Sequence, residues 1–169
     1  MKNAQSYFSK QFYTYYRPLC LYALRFLEDT NAVEDVVQET FAKLWEKRDT
    51  LDEITSIKSY LYTAVRNNCL MILRSRKEFD DVEELQITDG NSEEERIARS
   101  ELEAQLWKLI DELPEKRRDI FLMAKRDGLS YKEIAEETGL TVKTIENHIS
   151  RALKSLRKKN RTLYLYFFV

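Results

Sequence analysis

Residues Leu129 to Leu156, LSYKEIAEETGLTVKTIENHISRALKSL, spell two helices broken by one glycine, and no other stretch restricts the fold as tightly. Ser130 with Glu133 three residues on makes a capping box, which starts a helix over about Tyr131 to Thr138. Gly139 stops it, because glycine enters the left-handed conformation without steric penalty. Leu140 plugs the turn, Thr141 caps again, and a second helix runs from about Val142 to beyond Leu156. On a helical wheel Ile145, Ile149, Ala152, Leu153 and Leu156 fall on one stripe, which must face inward. Asn147, Ser150, Arg151, Lys154 and Lys158 lie opposite, and their amide, hydroxyl and cationic groups suit base edges and phosphates in a major groove. This is the pattern of a helix-turn-helix. A merely solvated helix in a plain bundle would need two caps, a glycine and a polar face to agree by accident.

The rest of the chain points to an all-α fold. With 3 glycines, 2 prolines and 34% charged residues in 169, helix should prevail throughout. No stretch alternates long enough to demand a sheet. The length allows one domain or two small ones. Cys20 and Cys69 lack metal or disulfide spacing, so both read as core residues of a protein in a reducing, cytoplasmic setting. No basic-then-apolar signal pattern opens the sequence, and the aromatic end Leu163 to Val169, LYLYFFV, is too short to span a bilayer.

A near-neutral total hides segregated charge. Residues 1–77 hold 12 basic against 9 acidic side chains, residues 78–99 hold 2 against 9, and residues 100–169 hold 14 against 11. The acidic middle, EFDDVEELQITDGNSEEERIAR, shows no sustained helical stripe and reads as a flexible linker between two small helical domains, 1–77 and 100–169. Fully extended it would reach roughly 70–80 Å, about two turns of B-DNA.

Three helical segments are expected in the first domain. Phe8, Phe12, Tyr15, Leu19, Tyr22 and Phe26 recur at steps of four and three and form one core face, with Pro18 expected to kink or restart the helix. In Ala32 to Lys47, Val33, Val36, Val37, Phe41 and Leu44 share one side, while Asp35, Gln38, Glu39 and Glu46 form an acidic stripe that suits a basic partner helix. Ile57 to Lys77 inverts the sign. Leu61, Val65, Asn68, Cys69 and Ile72 line one side; Thr63, Arg66, Asn67, Leu70, Arg74 and Lys77 line the other, with Tyr60 at the edge. Cations, an amide and a neighbouring ring suit unpaired nucleic acid, where charges track the backbone and aromatics stack on bases. Taken singly, each charged face could equally be a solvated one.

The order of these segments resembles the extracytoplasmic-function sigma factors of the sigma-70 family, over about Phe8 to Lys159. NAVEDVVQETFAKLWEKRD is similar to that family's core-polymerase-binding region, and IKSYLYTAVRNNCLMILRSRK to its −10 recognition and melting helix. The stretch from LIDELPEKRRDIFLM through the helix-turn-helix resembles region four, which reads the −35 element. The aromatic end resembles that of some Bacteroidetes members.

The resemblance implies a non-enzymatic initiation factor that binds core RNA polymerase, its β and β′ subunits, and promoter DNA, with no cofactor, no metal and no small-molecule substrate. Asp35, Gln38, Glu39 and Glu46 would meet the polymerase. Tyr60, Thr63, Arg66, Asn67 and Arg74 would lie along the −10 strand, with the loop Asp49 to Ser56 helping to hold a flipped base. Lys143, Asn147, His148, Ser150, Arg151, Lys154 and Lys158 would sit at the −35 groove. A FecR-like membrane anti-sigma factor is the regulator the family suggests. Two positions depart from the pattern: Glu146 stands where a basic residue is common, and Met71 where an acidic one is.

Three other classes of protein compete with this one. A response-regulator-type protein would need a phosphoacceptor αβ domain, and residues 1–77 carry no such strands. A di-iron bundle needs Glu-x-x-His pairs, and the single histidine, His148, falls on the recognition helix. A nucleic-acid-binding scaffold without a polymerase partner would fail to co-purify with core polymerase.

Overall fold

Aromatic and aliphatic side chains at helical spacing fold the chain into helices that close two separate cores. In the computed structural model, residues 2–76 and 91–169 are described. Contacts divide the chain into two compact units, Met1–Ala104 and Gln105–Val169.

In the first unit α1 (Lys2–Ala23), α2 (Thr30–Glu46) and α3 (Ile57–Arg76) pack together, with a short 3-10 turn at Arg48–Glu53. Asp29 caps α2 by accepting from the Asn31 N–H at 2.9 Å. The core holds Leu19, Tyr22, Val33, Val36, Val37, Phe41, Leu44, Leu61, Val65 and Cys69, with Phe8, Phe12, Tyr15 and Phe26 packed on its rim. The expected stripes on all three segments are therefore the buried ones. Asn68, placed on the apolar side of α3, donates to the Thr40 hydroxyl at 3.4 Å, and Thr40 donates to the Val36 carbonyl at 2.8 Å. This answers the polar demand of a buried hydroxyl. Both cysteines belong to this unit, and burial pushes their thiols up to about 11.

Pro18 does not restart α1, which is one helix from Lys2 to Ala23. A proline inside a helix costs about 3 kcal/mol in a lost bond and a clash. Leu19, Tyr22 and Ala23 after it are fully buried, and Phe12, Tyr15 and Tyr16 before it pack on the same core. Each buried side chain of this size contributes about 1.5–3 kcal/mol, so packing on both sides outweighs the break.

Helix α4 (Glu93–Asp111) begins inside the segment expected to be linker; residues 78–90 of that segment lie outside the described residues. Ser92 and Glu95 form a second capping box: the Ser92 hydroxyl accepts from the Glu95 N–H at 3.2 Å, and the Glu95 carboxylate accepts from the Ser92 N–H at 2.8 Å. Residues to Ala104 belong to the first unit. Ile97 packs on the first core, and the fully buried Ser100 hydroxyl lies 2.9 Å from that of Tyr62. Tyr22 and Tyr62 meet edge to face at 5.0 Å.

The second unit takes the end of α4, α5 (Glu115–Lys125), α6 (Tyr131–Thr138), α7 (Val142–Lys159) and α8 (Arg161–Phe168). Ile110, Leu113, Ile120, Phe121, Ile134, Ile145, Ile149, Ala152 and Leu156 are its core. The aromatic end forms α8, capped by Asn160, whose side chain accepts from the Leu163 N–H at 3.0 Å. Leu163 is buried, and the Phe168 ring meets Phe121 edge-on at 5.9 Å. Leu165, Tyr166 and Val169 stay exposed.

Candidate nucleic-acid interface

Burying the valine and phenylalanine stripe of α2 leaves Asp35, Gln38 and Glu39 exposed together, with Glu46 exposed at the helix end. Glu39 pairs with Lys43 one turn on, at 2.9 Å, while both side chains stay more than half exposed. The result is an acidic face backed by a rigid apolar floor.

On α3, burial of Leu61, Val65 and Cys69 turns Thr63, Asn67 and Arg74 to solvent, with Tyr60 half-buried beside them. Ser59, Tyr60, Thr63, Ala64 and Asn67 line a solvent-open depression of about 370 Å³. Two cations that the sequence reading did not single out follow α2, and one of them, Lys47, stands next to the depression. The Lys47 ammonium sits 5.3 Å from the Tyr60 ring centroid, and Arg48 lies over Trp45 at 5.3 Å. Their signal was the KR pair ending the α2 motif. Leu70, expected on the polar side, is half-buried, and Met71 is 62% exposed. The loop after Glu46 is a 3-10 turn with no buried residue.

Arg66 stands at the edge of this face. Its Nε lies 3.9 Å from the Glu93 carboxylate of α4, which also receives Arg96 at 3.4 Å and bonds the Tyr22 hydroxyl. Burial, and then that bonded carboxylate, push the Tyr22 phenol well above its ordinary value. Nearby, Lys58 pairs with Glu101 at 2.7 Å and Arg25 with Glu103 at 3.8 Å.

In the second unit the turn forms as its residues require. The Ser130 hydroxyl accepts from the Glu133 N–H at 3.2 Å and the Glu133 carboxylate accepts from the Ser130 N–H at 2.7 Å. Accepting from the Ser130 N–H, helped by the Ser130 side chain, holds the Glu133 carboxyl below the usual range. Gly139 adopts φ +70°, a conformation that a side chain would strain. Thr141 caps α7 by accepting from the Thr144 N–H at 3.2 Å. With Ile145, Ile149, Ala152 and Leu156 buried, Lys143, Asn147, Ser150, Arg151, Lys154 and Lys158 are exposed.

His148 is half-buried at the margin. Burial first, then the nearby cations Arg117, Lys116 and Arg151, hold its imidazole below the ordinary value. Those neighbours bring the start of α5 close to the recognition helix, a placement invisible along the chain. Glu146, the unusual acid, draws in Lys143 at 3.3 Å, so one of the expected cations has an internal partner. Among the described residues no group of three or more His, Cys, Asp or Glu side chains could hold a metal ion. No helix among them is long and apolar enough to cross a membrane.

Two small helical units define a DNA-binding protein: one carries a basic helix with a tyrosine-edged depression, the other a helix-turn-helix with a polar outer face. The model of sigma-70 region 2 matches residues 12–79, and that of sigma-70 region 4 matches residues 103–156, together well over half of the chain. The chain is 25% identical over 144 residues to RNA polymerase sigma factor SigZ of Bacillus subtilis (strain 168), covering 85% of this chain and 81% of the relative. To the ECF RNA polymerase sigma factor SigW of the same organism it is 28% identical over 151 residues, covering 82% and 81%. To the ferric citrate uptake sigma factor FecI of Escherichia coli (strain K12) it is 28% identical over 134 residues, covering 77% of each. The chain belongs to the sigma-70 family, as an extracytoplasmic-function (ECF) factor. Such a protein binds core RNA polymerase and promoter DNA and directs promoter-specific initiation. Sigma factors are initiation factors without catalytic activity of their own.

Proposed function

We propose a division of labour among the three faces. The acidic face of α2, Asp35, Gln38, Glu39 and Glu46, docks on the coiled-coil helices of the polymerase β′ subunit. Tyr60, Thr63, Arg66, Asn67 and Arg74 take the unpaired −10 strand, with Asp49 to Ser56 closing over a flipped base. Lys143, Asn147, His148, Ser150, Arg151, Lys154 and Lys158 face the −35 duplex. The first unit, with the start of α4 packed on it, serves the polymerase and the −10 strand, and the second unit serves the −35 duplex; of the acidic stretch 78–99, the part before α4 runs along the polymerase's basic channel against the β and β′ subunits. The protein works in the cytoplasm on DNA and polymerase alone, with no small-molecule substrate, and a FecR-like membrane anti-sigma factor restrains it.

The observation that carries this reading is the opposed charge of two helices on one core. The exposed residues of α2 are acidic around an amide, while those of α3 are basic around an amide beside a depression. Unstacking and flipping a base costs a few kcal/mol, which a pocket with an aromatic edge and a polar reader offsets. Asn67 is exposed and lines that depression, so it contributes little to packing. Asn67→Ala is therefore expected to weaken open-complex formation and leave closed-complex binding nearly intact. Permanganate footprints read this directly; equal reactivity in mutant and wild type would remove Asn67 from melting.

On α7 the two kinds of contact separate. Arg151 and Asn147 are exposed one turn apart, whereas Lys158 is exposed near the far end. A base contact is worth about 1–3 kcal/mol of discrimination, while a phosphate contact weakens all sequences alike and shifts the salt slope. Arg151→Ala should relax preference at one or two −35 positions, and Lys158→Ala should lower affinity with specificity unchanged. A promoter library selected with holoenzyme at two salt concentrations distinguishes them. Unchanged preferences in Arg151→Ala would mean that this side chain reads no base.

A further inference from the structure

We propose that Glu93 is a positioning residue of the strand-binding face: its carboxylate competes with DNA phosphates for the Arg66 guanidinium and so sets the strength and salt dependence of strand capture. This rests on the assignment of α3 to the unpaired −10 strand. Glu93 enters from another element, the first turn of α4, which the Ser92–Glu95 capping box holds in place. One carboxylate oxygen is bonded by the buried Tyr22 hydroxyl; the other lies 3.9 Å from Arg66 Nε and 3.4 Å from Arg96 Nη1. Tyr22 is fully buried against the Tyr62 ring, so the carboxylate is anchored from the core side and directed at Arg66.

The geometry suits exchange rather than permanent pairing. Arg66 remains 49% exposed and sits at the outer limit of ion-pair distance from its partner. Exposed pairs of this kind are weak and salt-screened, so a phosphate arriving beside Asn67 can take the guanidinium over. When Arg66 moves to a phosphate the strand releases condensed cations, but the Glu93 carboxylate it leaves takes up a cation in turn, so fewer are released in the net. Each phosphate fully neutralised on a single strand contributes about −0.7 to the slope of log K against log salt. Glu93 thus subtracts part of Arg66's contribution, lowering non-specific hold on any strand.

Glu93→Gln keeps an acceptor for Tyr22 and removes only the charge, so a structural role would be preserved and a competitive one lost. Holoenzyme reconstituted with the full chain is titrated with a forked promoter fragment carrying the sequence that wild-type holoenzyme selects, across a salt series. Glu93→Gln should bind about three- to tenfold tighter at low salt, with a slope steeper by up to about 0.7. Arg66→Ala should abolish that gain, so that the double variant matches Arg66→Ala alone. Tyr22→Phe, which releases the carboxylate without altering charge, should give a smaller gain, and it decides the matter should Glu93→Gln unfold below the assay temperature. Equal or weaker binding by Glu93→Gln at an unchanged slope, no gain from Tyr22→Phe in that fallback, or a gain that survives in the Arg66→Ala background would overturn the proposal. If Arg66→Ala alone weakens the fork and Glu93→Gln brings no gain, the competition fails and the strand assignment stands. If Arg66→Ala binds as wild type, the strand assignment fails and takes the proposal with it.

Discussion

Asp35→Arg combined with Glu39→Arg is expected to abolish binding to core RNA polymerase while leaving the helical fold in place. Both carboxylates are exposed on the side of α2 away from Val33, Val36, Val37 and Phe41, so longer side chains meet no packed neighbour there. Among the described residues only the pair of Glu39 with Lys43 is lost, and both of its side chains are more than half exposed. Close interfacial charge pairs show coupling of about 1.5–7 kcal/mol. Reversing two of them should therefore weaken holoenzyme formation by at least about a hundredfold, since each 1.4 kcal/mol is roughly tenfold. Co-purification with core polymerase, with circular dichroism as the control for folding, measures this. Native-like holoenzyme formation by the double variant would remove the acidic face of α2 from the docking surface.

Phe121→Ala should have an effect of similar size by another route. Phe121 is 1% exposed, sits among Ile120, Ile134, Ile145 and Ile149, and meets Phe168 of α8. Truncating a buried phenylalanine costs about 3–5 kcal/mol, while a domain holds only about 0.05–0.15 kcal/mol of stability per residue. Over the second unit, Gln105–Val169, that is about 3–10 kcal/mol, so such a loss takes away between about a third and all of its stability. Protection of the −35 duplex should disappear, while the first unit still binds core polymerase. Thermal melting followed by circular dichroism, together with footprinting of holoenzyme, reads both halves of the expectation. An unchanged melt with intact −35 protection would show that the second core does not depend on this ring.

The helix-turn-helix was legible almost residue for residue. Ser130, Glu133, Gly139 and Thr141 act on N–H and carbonyl groups within four residues of themselves, and the observed bounds of α6 and α7 follow from them. The start of α4 carried the same kind of signal, Ser92 with Glu95 three residues later, but it lay at the end of an acidic run whose composition argued for linker. Pro18 misled in the opposite sense. A local rule predicted a break, and buried side chains on both sides of it overrode that rule.

Local order, then, was largely determined by the sequence alone: which segments are helical outside the start of α4, where α6 and α7 are capped, and which faces are apolar. Caps and stripes are relations between residues one to four positions apart, and their energies do not wait for the rest of the chain. Tertiary structure decided what those helices meet. Tyr22 finds Glu93 across 71 residues, and Tyr62 finds Ser100 across 38. Lys47 comes to rest by Tyr60, Lys116 and Arg117 come close to His148, and the aromatic end folds as α8 onto Phe121. No period or spacing encodes such pairs, because they exist only after burial of the stripes has fixed one helix against another. The strand-binding face could thus be read from α3, but the carboxylate on Arg66 could not, since it arrives from a helix that only the packed first core brings there.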